Sequence, residues 1–204
     1  MEASAKSRPG HRERLLEAAI ACLQERGYAH TTARDLVAAS GTNLASIGYH
    51  FGSKDHLLNV ALVEAFRRWL EPIVRLAAEP GPAGPLERLE RSLAEVTSSL
   101  EEQSGLVSAC VEAWVQVPRS DDLRIQMAAS YADFRGVIAD IARDAFAEIG
   151  APEDLDHDAL ATLIIAVFDG LLVRAQFAPD EVPDAPRLLG ALGAVIGLLG
   201  ERPG

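Results

Sequence analysis

The stretch that most constrains this chain is short. Between Thr31 and Lys54, residues that start and stop helices recur at fixed offsets. Thr32 is a good N-cap, and Asp35 three positions on completes an approximate capping box. A helix from Ala33 to Ala39 follows, with Leu36 and Val37 inward and Arg34 outside; Ala38 and Ala39 are small enough for another helix to cross closely. Gly41 makes the turn, because glycine takes φ > 0 at little cost. Thr42 or Asn43 caps a second, very short helix, Leu44 to His50, anchored inward by Ile47. Gly52-Ser53 then breaks and recaps, and a long helix begins at Lys54. Two short helices joined by a Gly-containing turn form a helix-turn-helix, whose second helix enters the major groove of DNA. Ahead of this unit, Leu15, Ala19 and Leu23, with Leu16 and Ile20 beside them, form one face of a helix from Gly10 to about Arg26, ended by Gly27.

Hydrophobic residues make up 49% of the 204 and aromatics only 5%. Ala and Leu abound, and few segments show β-branched runs of period two, so the expected fold is all-α with about nine helices. The net charge of -11 argues against a chain that coats nucleic acid. The charge is uneven, however. Residues 1–60 hold 7 Lys+Arg and 6 Asp+Glu, while the remainder holds 12 and 24. One end can therefore face phosphates and the rest is repelled by them. Cys22 and Cys110 lie in apolar helical patterns and read as buried thiols of a reducing compartment, a redox switch being the sharper alternative. The N-terminus, with Lys6, Arg8, Arg12 and Arg14, lacks the apolar run of a signal peptide. The near-continuous apolar runs 159–168 and 188–200 fall short of the roughly 18–20 residues that span a bilayer. A cytoplasmic protein with no membrane partner is expected. No nucleophile–base pair, metal-ligand spacing or Gly-rich phosphate loop is present, so no catalytic residue, metal or cofactor is expected.

The string GYAHTTARDLVAASGTNLASIGYHFGSKDHLL closely resembles the N-terminal signature of the TetR family of transcriptional repressors. The matching features are Gly27-Tyr28, Thr31-Thr32, the apolar-plus-small run to Gly41, the triplet Tyr49-His50-Phe51, and Ser53-Lys54-Asp55 leading into Leu57. The match covers about residues 11–62; beyond it the resemblance is one of architecture. It implies that Thr32 and Arg34 begin the helix that crosses the DNA backbone. Ser46, Tyr49, His50 and Lys54 would contact phosphates, while Asn43, Leu44 and Ala45 would face base edges. Asn can pair with adenine, and Leu and Ala can touch a thymine methyl. Gly48 departs from the pattern, since many relatives carry Tyr there; either Tyr49 alone takes the contact, or the glycine lets the backbone approach DNA closely. Tyr49 and Phe51 also read as core residues of the small bundle, and His50 as a surface residue.

The expected organisation is a disordered segment 1–9, a helix-turn-helix domain 10–53 and a helical ligand-binding and dimerisation domain 54–204. Its helices are expected at 54–78 (kinked near Pro72), 86–103, 104–117, 121–149, 154–177 and 185–199. The last two carry apolar surface wider than one stripe, so Ile164, Phe168, Leu171, Leu188, Leu192, Val195 and Ile196 are candidates for a homodimer interface, the alternative being the protomer's own core. The resemblance implies an effector pocket among the central helices, with candidates Phe66, Trp69, Cys110, Trp114, Met127, Tyr131 and Phe168, each of which also reads as plain core. Glu112, Asp169 and Arg174 are charges in apolar surroundings; an acid lining a cavity would imply a cationic ligand. The expected partners are a double-stranded DNA operator, a second copy of the chain and a small-molecule effector of unknown identity. The expected function is a ligand-responsive regulator, most simply a repressor on a palindrome. The alternative is a helical small-molecule-binding protein or enzyme with a vestigial DNA-binding head.

Overall fold

The computed structural model describes residues 10–79, 84–150 and 155–200, without the side chains of Ile196, Leu198 and Leu199. Segment 1–9, expected to be disordered, lies outside them. The described residues form nine α-helices: α1 (His11–Arg26), α2 (Ala33–Ser40), α3 (Leu44–Phe51), α4 (Lys54–Ala78), α5 (Pro85–Ser99), α6 (Ser104–Gln116), α7 (Asp121–Glu148), α8 (His157–Phe177) and α9 (Ala185–Gly200). Short 3-10 turns at Val117–Arg119 and Pro179–Glu181 complete the order, and no strand occurs among the described residues. The all-α expectation holds, and boundaries agree to within a few residues. The largest shift is in α5, which starts on Pro85 at its first position, where a missing N–H costs nothing, and ends at Ser99.

The first three helices enclose a small core. Leu15, Ala19 and Leu23 of α1, Leu36 of α2, Ile47 and Phe51 of α3 and Leu57 and Leu58 of α4 are all buried together. Phe51 is thus core, one of the two readings its position allowed. The Thr31 hydroxyl, also buried, donates to the Gly27 carbonyl at 2.7 Å and secures the link from α1 to α2. Gly27 itself stands at φ 79°, which suits glycine.

Helix α4 runs on without interruption through Pro72 and belongs to both halves of the molecule. Its first turns sit under the small bundle, while Ala65, Trp69 and Ile73 pack into the larger one with Val96, Leu106, Val107, Met127 and Leu172. One continuous core therefore crosses the expected boundary at residue 53. Ser120 caps α7 and Asp156 caps α8, each accepting the backbone N–H three residues on. Arg88 of α5 is buried and makes a bidentate pair with Glu148 at 2.7 and 3.1 Å, tying α5 to the end of α7. Helix α9 leans on α5. Helix α8, at 21 residues with a mean hydropathy of 1.7, is long and apolar enough by composition to cross a membrane. Counting only uninterrupted apolar runs missed this, because Asp158, Asp169 and Arg174 punctuate the helix.

The two halves meet where α6 crosses α1. A Cβ on Gly105 would overlap the Gln24 carbonyl oxygen, and Gln24 offers only backbone there, so the collision has no easy relief. Gly105→Ala is expected to destabilise the chain by about 1–3 kcal/mol, the usual cost of overpacking. In urea unfolding this should appear as a lower midpoint at unchanged slope.

Candidate nucleic-acid interface and the aromatic centre behind it

Each short helix is held at both ends. Thr32 accepts the Asp35 N–H at 3.3 Å, and Asp35 accepts the Thr32 N–H at 2.9 Å and its hydroxyl at 2.6 Å, a complete capping box. These bonds, helped by Arg26 at 2.8 Å, hold the Asp35 carboxyl below its usual range. Gly41 ends α2 in the left-handed region at φ 62° and ψ 33°. The Asn43 side chain then accepts the Ser46 N–H at 3.0 Å and opens α3. Ser53 does the same for α4, accepting the His56 N–H at 3.0 Å.

The outward face of α3 consists of Leu44, Ala45, Gly48 and Tyr49, with Leu44 57% and Tyr49 86% exposed. Tyr49, which also read as core, is therefore free, and it meets His50 edge to face at 4.8 Å. From Leu44 to Phe51 there is no Asp, Glu, Lys or Arg. Arg34 is exposed on the first turn of α2. Two expected phosphate contacts are placed differently. Ser46 is buried, bonded to Asn43 and to the His11 ring at 3.2 Å, because its position shares the inward side of α3 with Ile47. The Lys54 ammonium donates to the Thr31 carbonyl at 3.3 Å and pairs with Asp55 at 3.1 Å, so it braces the bundle. Thr32 and Asn43 remain exposed but spend their oxygens on capping.

The sequence reading missed the neighbours that α1 supplies. His11 reaches Ser46, and the Arg12 guanidinium lies 5.3 Å from the centre of the Phe51 ring. The signal was present in the basic residues 6–14, which the sequence placed at the phosphate-facing end by their charge without assigning any one of them a contact.

Behind this head the expected effector residues form two adjoining groups. Phe66, Trp69 and Phe168 make a row with ring centres 5.5 and 5.9 Å apart, and the Trp69 indole donates to Ser99 at 2.9 Å. Asp169 accepts the Tyr131 hydroxyl at 3.0 Å, near Cys110 and Trp114. Burial pushes the Asp169 carboxyl and the Cys110 thiol up, and it pushes Tyr131 up with Asp169 adding to the effect. Cys22, also buried, is shifted the same way, so neither thiol is poised to react. Met127 is buried core. Two clefts border this region. One of about 230 Å³ between α7 and α8 is lined by Tyr131, Arg135, Thr162 and Ile165 among others. One of about 430 Å³ lies between the end of α1, α6 and α8, against Gly27, Gly105 and Glu112.

Glu112 connects head and centre. Its carboxylate accepts the Ala29 N–H at 2.9 Å and fills the space beside Gly27. A second link runs from Tyr28 to Asn59 at 2.6 Å and from Asn59 to Asp122 at 2.9 Å, where His56 and Gln126 also converge. Burial pushes the Tyr28 hydroxyl up to about 12.

On the expected dimer helices, Phe168 turns inward against Trp69 and Leu171 is buried, while Ile164 and Leu188 are half-buried. At 100° per residue the outward stripe of α8 is Leu163, Val167, Gly170 and Arg174, with Leu163 57% and Val167 51% exposed. Leu192 and Val195 of α9 are exposed as expected. Ile196 lies outside the described side chains.

Comparison with known proteins extends the likeness along the chain. Residues 15–61 match the model of bacterial regulatory proteins of the tetR family, and residues 85–195 match that of the C-terminal part of BetI-type transcriptional repressors. The transcriptional regulator TtgR of Pseudomonas putida is 24% identical over 176 residues, covering 84% of this chain and 82% of the relative. A crystal structure of a transcriptional regulator from Pseudomonas aeruginosa PAO1 superposes with a TM-score of 0.72 at 25% identity, covering 93% of this chain and 90% of that one. A transcriptional regulator from Saccharomonospora viridis in complex with choline gives 0.63 at 26% identity, covering 91% and 95%.

Gly48 has no reason for being glycine inside the protein. A Cβ there meets nothing within 4 Å, and the residue sits mid-helix at a negative φ. Gly48→Ala is therefore expected to stabilise the chain by up to about 1 kcal/mol, the helix-propensity difference. A raised urea midpoint would show it; a lowered one would mean that the position is packed.

Proposed function

The chain belongs to the TetR family of bacterial regulatory proteins, a DNA-binding regulator of transcription and not an enzyme, and from that premise we propose that it represses as a homodimer on a palindromic operator until a cationic small molecule releases it. The observation that carries the reading is the pair of outward surfaces that the fold leaves unpartnered: the uncharged face of α3 and the apolar stripe of α8. The α3 face suits the major groove, where Leu44 and Ala45 meet thymine methyls, Asn43 offers its amide to a base edge and Tyr49 reaches a phosphate. Thr32, Arg34 and His50 border the same surface. The α8 stripe, with Leu192 and Val195, suits a second copy of itself related by a two-fold axis, and a two-fold dimer presents two heads at fixed spacing.

The effector reading rests on Asp169. A carboxylate among Tyr131, Trp114 and Phe168 is costly to keep charged, and a bound cation relieves that cost while the rings stabilise it. The choline-bound relative supports a ligand of this class. Phe66, Trp69, Cys110 and Met127 would shape the surrounding wall. Helix α6 carries Cys110 and Trp114 beside this centre and Glu112 against the head, so a shift of α6 reaches the Glu112–Ala29 contact. Helix α4 carries the same displacement from Trp69 to the cap at Ser53. The ligand acts by favouring a conformation whose heads are wrongly spaced, which requires that it bind that conformation more tightly.

Replacing both Leu163 and Val167 by Asp should convert a sedimenting dimer to a folded monomer and lower affinity for a palindrome selected from random duplexes at least tenfold. A wild-type monomer that binds the palindrome equally well would refute the dimer reading. Asp169→Asn tests the effector site. Its folded-state pKa is raised, so the native protein binds this proton more tightly than the unfolded chain, and the cost of ionisation appears as pH rises through that folded value. The variant should melt at a higher temperature at neutral pH. The gain should fade as pH falls towards the ordinary Asp value of about 3.9. Choline, as a first probe, should release wild-type protein from DNA and leave the variant bound; equal release from both would remove Asp169 from the site.

A further inference from the structure

We propose that α1 is part of the DNA interface, with Arg12 gripping a phosphate beside the groove that holds α3. The inference rests on the DNA-binding reading above and deepens it.

The recognition helix supplies no charge of its own, yet affinity for DNA comes largely from cations that displace counterions from phosphates. Those cations must stand on neighbouring elements. In the head, most are already engaged. Arg26 is paired with Asp35, Lys54 with Asp55, and, further along α4, Arg67 and Arg68 with Glu64 and Glu17. Among the described residues of the head, Arg12 and Arg34 are the arginines that are exposed and in no ion pair. Arg34 stands on α2, where the family resemblance already places a contact. Arg12 stands on the first turn of α1, held against α3 by the Phe51 ring and by the bond from neighbouring His11 to Ser46.

The contact with Phe51 also orients the side chain. Stacking on a ring leaves the edge donors of a guanidinium available, and its planar fork matches a phosphate's oxygens. The positive end of the α1 dipole adds to the same field, partly offset by Glu13 in that turn. Arg14 is partly buried, its guanidinium lying against the turn at Gly41. The sequence-independent part of binding is thereby carried by α1 and α2, and the reading part by α3.

The test is the salt dependence of binding by the full-length protein. A fluorescent duplex recovered by selection on wild-type protein, and a shuffled version of it, are titrated across a range of KCl. Each phosphate contact contributes about -0.9 to the slope of log affinity against log salt. Arg12→Gln should make the slope shallower by about that amount and weaken binding to both duplexes by the same factor. Arg12→Lys should restore the slope, and Arg34→Gln should behave as Arg12→Gln does. An unchanged slope in Arg12→Gln overturns the proposal, including the case where binding falls only because the melting temperature falls, since a purely structural contact with Phe51 moves stability and not slope. Loss confined to the selected duplex also overturns it, because that is base readout. A wild-type protein that selects no duplex overturns the DNA-binding reading itself, and this inference with it.

Discussion

Helices of eight residues do not hold themselves together in water, and α2 and α3 are both that short. They exist because Leu36, Ile47 and Phe51 are buried against Leu15 and Leu23 of α1 and Leu57 and Leu58 of α4. Everything that faces outward from the head is presented on this borrowed support. Capping sharpens it: Thr32–Asp35, Asn43 and Ser53 each satisfy N–H groups that a short helix cannot satisfy itself. The same dependence ties the head to the body. Helix α4 is shared by both cores, and α1 is pressed by α6 at Gly105 and latched by Glu112 at Ala29.

This dependence explains which parts were legible in the sequence. Caps and turns are local, so Thr32, Gly41 and Ser53 were read from spacing, as were most helix ends, and the cap of α3 was narrowed to Thr42 or Asn43, of which the structure uses Asn43. Burial of the small core followed from periodicity. What local spacing did not show was facing, in places where two neighbours compete for a side chain. Ser46 was assigned to DNA from its place in a motif, but the angle of α3 turns it towards Asn43 and His11. Lys54 looked free at a helix start, and its partner, the Thr31 carbonyl, lies 23 residues away. On α8 apolar residues stand on every side of the helix, so composition could not tell the inward Phe168 and Leu171 from the outward Leu163 and Val167. Only the register against Trp69 decides that. The Gly105–Gln24 crossing left no sequence signal beyond a glycine near a helix start.

The body shows a related economy. One helix, α6, is flanked on one side by the head and on the other by Tyr131 and Asp169. Its residues alternate between the two: Gly105, Ser108 and Glu112 line the cleft at α1, while Cys110 and Trp114 lie at the aromatic centre. On the proposed reading, a ligand that displaced one side of α6 would be felt on the other through this single helix.

The absence of charge from α3 has a consequence for how such a protein can diverge. On the proposed reading, grip and discrimination reside on different helices. Exchanging Leu44, Ala45 or Gly48 then alters which sequence is preferred while the ionic hold on the duplex stays constant. A descendant passing between two operators would keep a general affinity for DNA throughout and never have to cross a non-binding intermediate. Substitutions in α1 and α2 would instead scale occupancy at all sites together, which amounts to a volume control separate from the tuning.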